Sequence, residues 1–128
     1  ILSNKGLLPL LWGMFEGHPN LLPAFFEDDP AAAAFAETGS YVRKPMLSRQ
    51  GANIKIFEDG KLLFHSDGPY GSDAHILQGF QPLPEFDEGY PLLGCWLVAS
   101  KAVGLCIRED STLITGKEAR FIPHVIRD

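Results

Sequence analysis

The first forty residues carry apolar side chains at helical spacing. The stripe consists of Leu8, Leu11, Trp12 and Phe15. Residues three and four apart share one face of a helix, so this spacing predicts a short amphipathic α-helix. Proline is tolerated only in the first turn of a helix, and Pro9 therefore places its start near residues 7–8. Gly17, followed by Pro19, is predicted to act as its C-cap.

Two further segments precede the change of pattern at residue 41. "LLPAFFEDD" predicts another turn of helix, and "PAAAAFAETG" predicts a short connector with some helical propensity. Residues 1–40 are therefore interpreted as a helical lead-in to the rest of the chain.

From Tyr41 onward the apolar residues alternate with polar ones, which is the pattern of half-buried β-strands. Asp59-Gly60 is a strong signal for a two-residue hairpin, and the three prolines of "QPLPEFDEGYP" predict an extended connector. The predicted fold class is α+β, mostly antiparallel sheet with a short N-terminal helix. Strands are predicted at residues 41–46, 53–58, 61–65, 75–81, 92–99, 102–108 and 120–126.

A hairpin near residue 100 contains both cysteines. If Ser100-Lys101 forms its two-residue turn, Cys95 lies directly opposite Cys106, and Leu93 opposite Arg108. Two buried thiols are favoured over a cross-strand disulfide, because such bonds are often strained and the composition indicates a reducing compartment. Arg108 shares a face with Cys106, where its side chain either extends to solvent or meets an anion.

Composition limits the classes of protein that this chain can represent. It has 128 residues, a hydrophobic content of 45% and a net charge of −5. These values are typical of one globular domain and argue against a nucleic-acid surface. Two cysteines and four scattered histidines show no metal-ligand spacing. No apolar run is long enough to span a membrane, and a cytoplasmic protein is predicted. The start without Met suggests a piece of a longer polypeptide.

Residues 44–53, "KPMLSRQGAN", raise a specific question about chemistry. Lys44 and Arg49 frame a loop in which Gly51 allows close backbone approach, and such loops bind anions through successive N–H groups. The alternative is an ordinary hairpin with solvated cations, and the residues alone favour it because basic turns are common. Lys5, just before the predicted helix, is similarly open to a role in anion binding or to simple exposure.

Two other segments allow both structural and functional interpretations. "ILQGFQPLP" (76–84) runs from a strand into an extended segment that could hydrogen-bond a flat heterocycle, although edge strands have free backbone groups in any case. Glu109-Asp110 is predicted to cap a turn, with a metal role as the alternative. No Ser–His–Asp or Cys–His spacing supports a protein nucleophile.

Several segments, taken in order, resemble the C-terminal part of the glutathionylspermidine synthase family of ATP-grasp ligases. The most specific is K-P-x-x-x-R-x-G-x-N at 44–53, with N-K-x-x-L-P-L-L-W at 4–12. "ILQGFQPLP", "GLCIREDSTLIT" and "FIPHVI" follow in the family's order. The likeness covers nearly the whole chain and is closer to bacterial relatives whose substrates are less certain. It implies an ATP-grasp-type subdomain, the C-terminal ATP-binding portion (1–128) of a larger domain.

The resemblance also implies a role for individual residues. Lys5 and Lys44 would bind the phosphates of ATP, and Arg49 and Gly51 would belong to a mobile loop that covers them, with Arg49 stabilising the transferring phosphoryl group. Arg108 would lie near the acyl-phosphate end of the site. The segment that contacts adenine would be Gln78, Gly79, Phe80 and Gln81, and Leu113 would line the nucleotide pocket.

The implied reaction is ATP-dependent joining of a carboxylate to an amine through an acyl phosphate. Such a reaction depends on positioning and on cations rather than on a protein nucleophile. A small peptide or polyamine-like molecule would be the substrate. In the family the Mg²⁺ ligands lie upstream, so no metal ligand is assigned here and the isolated chain is expected to be inactive without the rest of its parent domain. The alternative is a non-catalytic, β-rich module that binds a protein partner.

Overall fold

A computed structural model describes residues 3–87 and 89–127 of the chain. The chain forms two compact units, one that extends to Gln81 and one that begins at Pro82. The first contains both α-helices and a five-stranded sheet, and the second contains a three-stranded sheet. Every strand pairing in the two sheets is antiparallel. The predicted α+β class with mostly antiparallel sheet is thus confirmed.

The first helix, α1, spans Leu7–Met14. Gly6 is its N-cap residue, and Pro9 lies in the first turn and is buried, as predicted from the backbone N–H that proline lacks. The predicted C-cap is wrong, because the helix ends earlier, with Phe15 as the C-cap. Gly17 adopts φ +77° in the turn that follows.

The segment predicted as a further turn of helix is instead strand β1, Ala24–Phe26. It pairs with a later strand, β5. This long-range pairing outweighs the local preference for helix, which is weak in so short a segment. The alanine-rich segment forms helix α2, Pro30–Glu37. Asp29 caps α2 by accepting a hydrogen bond of 2.8 Å from the backbone N–H of Ala31.

The five-stranded sheet has the order β1-β5-β2-β3-β4. Its remaining strands are β2 Tyr41–Pro45, β3 Lys55–Glu58, β4 Lys61–His65 and β5 His75–Gly79. All four lie within predicted strands. Val42, Ile56 and Ile76 are buried on one face of this sheet. The β3–β4 turn contains Asp59 and Gly60 at φ +50° and +73°, the geometry expected of this dipeptide.

The second unit contains β6 Tyr90–Val98, β7 Lys101–Asp110 and β8 Arg120–Ile122, in that order across the sheet. The predicted register of the β6–β7 hairpin is wrong. Ala99 and Ser100 form the turn, and a bulge shifts the register between Trp96 and Leu97.

This register separates the two cysteines. Cys95 pairs with Leu105, whereas Cys106 pairs with Gly94. Neighbouring residues of a strand point to opposite faces, so the two thiols lie on different faces of the sheet. Both are free; Cys95 is exposed, contrary to the prediction, and Cys106 is half-buried. Similarly, Arg108 pairs with Leu92 and not with Leu93.

The β6–β7 turn offers a test of this register. Ala99 and Ser100 adopt φ +49° and +64°, which residues other than glycine and asparagine adopt at a cost. Replacing the pair by Asn-Gly (Ala99→Asn with Ser100→Gly) is expected to raise the free energy of unfolding by about 1–2 kcal/mol. Urea unfolding of the full-length protein measures the change. A loss of stability would contradict a turn at these two residues.

Candidate functional site

The centre of the candidate site is Lys44 on β2. Val42 pairs with Gln78 and Lys44 with Ile76 across β2 and β5, so these side chains share one face of the sheet. Lys44 Nζ donates a hydrogen bond of 2.7 Å to Gln78 Oε1. Burial lowers the pKa of Lys44 to about 8, and the positive charge of Lys5 contributes to this shift.

Lys5 reaches this face from the segment before α1. Its backbone N–H donates to the carbonyl of Met46 at 2.9 Å, which ties it to the chain that follows β2. Lys5 Nζ donates to the carbonyl oxygen of Ser48 at 2.6 Å and to Ser48 Oγ at 3.0 Å. Burial also lowers the pKa of Lys5. Lys5 therefore lies against the segment that follows Lys44, while the binding of phosphate by the two lysines stays a prediction.

Both ammonium groups have only neutral partners. Among the residues that the structure describes, neither Lys5 nor Lys44 forms an ion pair with a carboxylate. A partly desolvated cation without a counter-charge is costly to folding, and such groups are concentrated at functional sites. The arrangement can accept a multiply charged anion, which would supply the missing negative charge.

The β2–β3 connection contains the two other predicted phosphate contacts. Arg49 is exposed, and Gly51 adopts φ +71° after Gln50 at φ +54°. The backbone N–H of Ala52 donates to the carbonyl of Arg49 at 3.1 Å, closing a turn. The predicted mobility of this loop stays a prediction.

Ser48 is the residue of this connection that sequence reasoning missed. It is buried, with 5% of its surface exposed, and both of its oxygens accept from Lys5. Serine is common in loops, so only its place within the "KPMLSRQG" block could have marked it.

Arg43 is separated from the site by strand alternation. It forms two hydrogen bonds to the carboxylate of Glu27, and its side chain lies on the opposite face from Lys44. His75 is buried beside the same carboxylate, at 3.7 Å, and burial lowers its pKa. Arg43 and Lys44, although adjacent in the sequence, therefore lie on opposite faces of the sheet.

The segment predicted to contact adenine lies at the end of β5. Gln78 is buried against Lys44. The backbone N–H groups of Gly79 and Phe80 donate to the carbonyls of Pro23 at 2.8 Å and Ser40 at 3.1 Å. Gln81 follows the strand and is exposed. Gln81 is therefore the most exposed of the four residues.

Arg108 and Leu113 lie in the second unit. Arg108 Nη2 donates to the carbonyl of Gly116 at 2.6 Å, and the guanidinium carbon lies 5.9 Å from the ring centroid of Phe121. Within residues 3–87 and 89–127 its buried Nε has no hydrogen-bond partner. Leu113 is half-buried in the loop that follows β7.

Asp110 holds that loop together and confirms the predicted turn cap. One carboxylate oxygen accepts from the backbone N–H of Thr112 at 3.2 Å, and the other from that of Gly116 at 2.8 Å. Its neighbour Glu109 pairs with Arg120 at 2.6 Å. The loop thus presents the Gly116 carbonyl to Arg108.

The described part of the chain offers neither a metal cluster nor a membrane-spanning helix. No three His, Cys, Asp or Glu side chains in it are grouped so that they could hold a metal ion. No helix in it combines the length and apolar character needed to cross a bilayer.

Comparison with known proteins places these motifs in context. A family model described as "Glutathionylspermidine synthase preATP-grasp" matches residues 1–127. A protein of Haemophilus influenzae named "Putative acid–amine ligase" is 38% identical over 130 residues, which cover 97% of this chain and 32% of that protein. The family model that matches is described as pre-ATP-grasp. The prediction that this chain corresponds to the C-terminal part of the family's proteins is therefore not supported.

Two further relatives carry more specific names. The trypanothione synthetase of Crithidia fasciculata is 33% identical over 120 residues, covering 93% of this chain and 18% of its own length. The bifunctional glutathionylspermidine synthetase/amidase of Escherichia coli is 30% identical over 125 residues, covering 97% of this chain and 20% of its own length. The chain therefore spans a third or less of the curated relatives it matches.

The buried charge of Lys44 has a measurable consequence for stability. Its pKa in the folded state, about 8, lies below the ordinary value of 10.5. The cost of charging it is fully present below pH 8 and disappears as the pH rises above 10.5. Lys44→Met is expected to raise the free energy of unfolding at pH 7 by on the order of 1–2 kcal/mol, less than the shift alone implies because Gln78 loses its partner.

Urea unfolding of the full-length protein at pH 7 and pH 10 measures this difference. The gain should shrink toward the higher pH. Lys55→Met, at an exposed lysine of β3 on the opposite face of the sheet, is the matched control and should change little. A Lys44→Met protein that is less stable at pH 7 would contradict a dominant cost of burying the charge.

Proposed function

Because this chain belongs to the glutathionylspermidine synthase family, through its pre-ATP-grasp model, we propose that it supplies ATP-binding residues of an ATP-dependent carboxylate–amine ligase. The proposal depends on one observation above all. Lys5 and Lys44 are partly buried cations beside each other, and within residues 3–87 and 89–127 each donates only to neutral oxygens. A polyphosphate is the ligand that such a pair accommodates best.

The two lysines have complementary roles in this proposal. Lys44 is fixed by Gln78 and has little freedom to follow a ligand, so it would bind a phosphate held in a set position. Lys5 donates to two oxygens of Ser48 and would exchange them for phosphate oxygens. Binding the anion would raise the pKa of both ammonium groups, since an opposite charge favours the protonated form.

Arg49 and Gly51 complete the phosphate end of the site. Gly51 lets the backbone come close to the ligand. The exposed Arg49 guanidinium would contact the phosphoryl group as it is transferred, because its planar fork matches two phosphate oxygens at once. Mobility of the loop is part of this proposal.

The remaining contacts are assigned by family resemblance together with local geometry. Gln81 would provide the adenine contact, while Gln78, Gly79 and Phe80 hold the segment in the sheet. Leu113 would contribute apolar surface to the nucleotide pocket. Arg108 would neutralise charge near the acyl phosphate through N–H groups other than the Nη2 hydrogen already bonded to Gly116.

The proposed reaction has two steps. A carboxylate oxygen attacks the γ-phosphorus of ATP, and ADP leaves with the electrons of the broken P–O bond. An amine then attacks the acyl carbon, phosphate leaves, and the amine loses a proton to solvent. Cations stabilise the charge that develops on phosphate oxygens in both steps.

The substrates would be a small peptide or other carboxylate and a polyamine-like amine. We further propose that Mg²⁺ ligands come from other parts of the parent domain, that residues 1–128 alone are inactive, and that the protein acts in the cytoplasm. The names of the relatives support the substrate classes, whereas the metal, the inactivity and the location are supported by the family resemblance alone.

The test of the function is amide formation by the full-length protein. MgATP is supplied with glutathione or another small peptide and with spermidine or a simpler amine, and products are identified by mass spectrometry. An acyl-phosphate route yields ADP and phosphate, whereas an adenylate route would yield AMP. Absence of nucleotide turnover with every pair, together with no binding of MgATP, would favour the non-catalytic binding module.

Lys44 can be tested separately from turnover. Lys44→Ala is expected to weaken binding of MgATP by about tenfold to a hundredfold, the range for losing a charge-assisted hydrogen bond in a partly buried site. Isothermal titration of the full-length protein measures this affinity. Lys55→Ala is the control, because Lys55 is an exposed lysine on the opposite face of the same sheet. Equal affinities for the wild type and Lys44→Ala would contradict the role of Lys44.

The pH dependence of binding provides an independent test. Since the pKa of Lys44 is about 8 in the free protein, affinity for MgATP is expected to fall as the pH rises above 8, where the ammonium loses its proton. Arginine stays charged throughout this range. Lys44→Arg should therefore remove most of the fall between pH 8 and pH 10, whatever its absolute affinity. An unchanged slope would exclude Lys44 as the titrating group.

A further inference from the structure

The β2–β3 connection, residues 46–54, follows a path that needs external support. Gln50, Gly51 and Asn53 adopt φ of +54°, +71° and +55°. This left-handed conformation is unfavourable for a side chain such as glutamine and only tolerated by asparagine. Contacts from elsewhere in the fold must therefore stabilise the connection.

One contact holds the beginning of the connection, and another holds its end. At the beginning, Ser48 accepts two hydrogen bonds from Lys5. At the end, Ser66 Oγ donates to the carbonyl of Gly51 and accepts from the backbone N–H of Ile54 at 3.0 Å. The Ser66 N–H donates in turn to the Ile54 carbonyl at 2.9 Å.

The segment after Ser66 adds two further constraints. Asn53 Oδ1 accepts a hydrogen bond of 2.7 Å from the backbone N–H of Tyr70. Gly68 packs so closely that a Cβ at this position would lie 2.6 Å from Ala52 Cβ, a distance that real side chains do not reach. Residues 66–70 thus follow the connection closely on one side.

We propose that residues 66–70 form a clamp that positions the phosphate-covering loop, with Ser66 as its principal positioning residue. Ser66 reaches the backbone on both sides of the Gly51–Ile54 turn and fixes where the Arg49–Gly51 segment lies. It acts through the loop and not by touching the nucleotide. The nucleotide part of this inference rests on the proposed function, whereas the clamp itself does not.

The clamp would improve binding by lowering the cost of ordering the loop. A loop that must be fixed on binding loses conformational freedom, and a loop already held in place loses less. Arg49 and Gln50 are exposed between the two anchored ends. The clamp therefore leaves the tip free to meet the terminal phosphates while limiting the range of positions it samples.

Three variants of the full-length protein test the clamp. Ser66→Ala removes the hydroxyl but keeps the backbone hydrogen bond to Ile54. Ser66→Thr keeps a hydroxyl and should restore the wild-type behaviour. Ser72→Ala, at an exposed serine of the same β4–β5 connection, is the matched control.

Trypsin reports on the clamp without any nucleotide, because Arg49 is exposed at the tip of the loop. Mass spectrometry of the new termini measures how fast the Arg49–Gln50 bond is cleaved. We expect cleavage to be about fivefold faster in Ser66→Ala than in the wild type, because the closed loop loses one net hydrogen bond. Wild type, Ser66→Thr and Ser72→Ala should be cleaved at similar rates. Equal cleavage of Ser66→Ala and wild type would overturn the clamp.

Nucleotide binding reports on the positioning role. Ser66→Ala is expected to bind MgATP about fivefold more weakly than wild type. Its affinity for AMP should be unchanged, because AMP lacks the β- and γ-phosphates that the loop covers. A general loss of structure would weaken both ligands together.

The possible results separate this inference from the proposed function. Faster cleavage with an unchanged ratio of MgATP to AMP affinity would overturn the positioning role and leave the clamp as a structural feature. Failure of the wild type to bind MgATP would overturn the proposed function and the positioning role with it, while the trypsin comparison would still decide whether the clamp exists.

Discussion

The candidate site depends on the register in which β2 pairs with β5. That register places Lys44 and Gln78 on one face and leaves Arg43 on the other. A shift of one residue would exchange the two cations, placing the arginine that now pairs with Glu27 where a half-buried lysine now lies. Buried Val42, on the same strand and the same face as Lys44, resists such a shift because it would move to the opposite face.

The cost of this arrangement supports the proposed role of the two lysines in binding an anion. A surface lysine on a sheet stabilises the fold little and costs it little, since water solvates the charge. Lys44 has lost much of that solvation, and the nearby positive charge of Lys5 adds to the cost. Gln78 offers one acceptor and no negative charge. An anion would relieve both penalties, which is how a binding site is prepared at the expense of stability.

Sequence patterns predicted the strands better than the connections between them. Alternation from Tyr41 onward located seven strands, and proline chemistry located the start of α1. Strand β1 was missed because its three residues acquire their conformation from pairing with β5. The β6–β7 register was wrong because alanine and serine carry no signal for a left-handed turn, and a bulge leaves no mark in the alternation.

The residues of the candidate site were also only partly predictable from the sequence. The lysines and Arg49 stood out as charges in an ordered set of motifs, which the family resemblance joined together. The two serines that hold the β2–β3 connection did not stand out, because the hydroxyls of Ser48 and Ser66 resemble those of any loop serine. Ser66 lies 15 residues from the Gly51 carbonyl that it contacts, so only the folded chain brings them together.

The connection between β2 and β3 links the chemistry of the site to the rest of the first unit. Its beginning depends on Lys5, which is itself a proposed phosphate ligand, and its end depends on Ser66, which is not. If a phosphate draws Lys5 away from Ser48, the first anchor weakens at the moment of binding. The Ser66 anchor makes no use of a ligand-binding group and would persist. A loop held in this way can rearrange at one end while its other end keeps Gly51 in place.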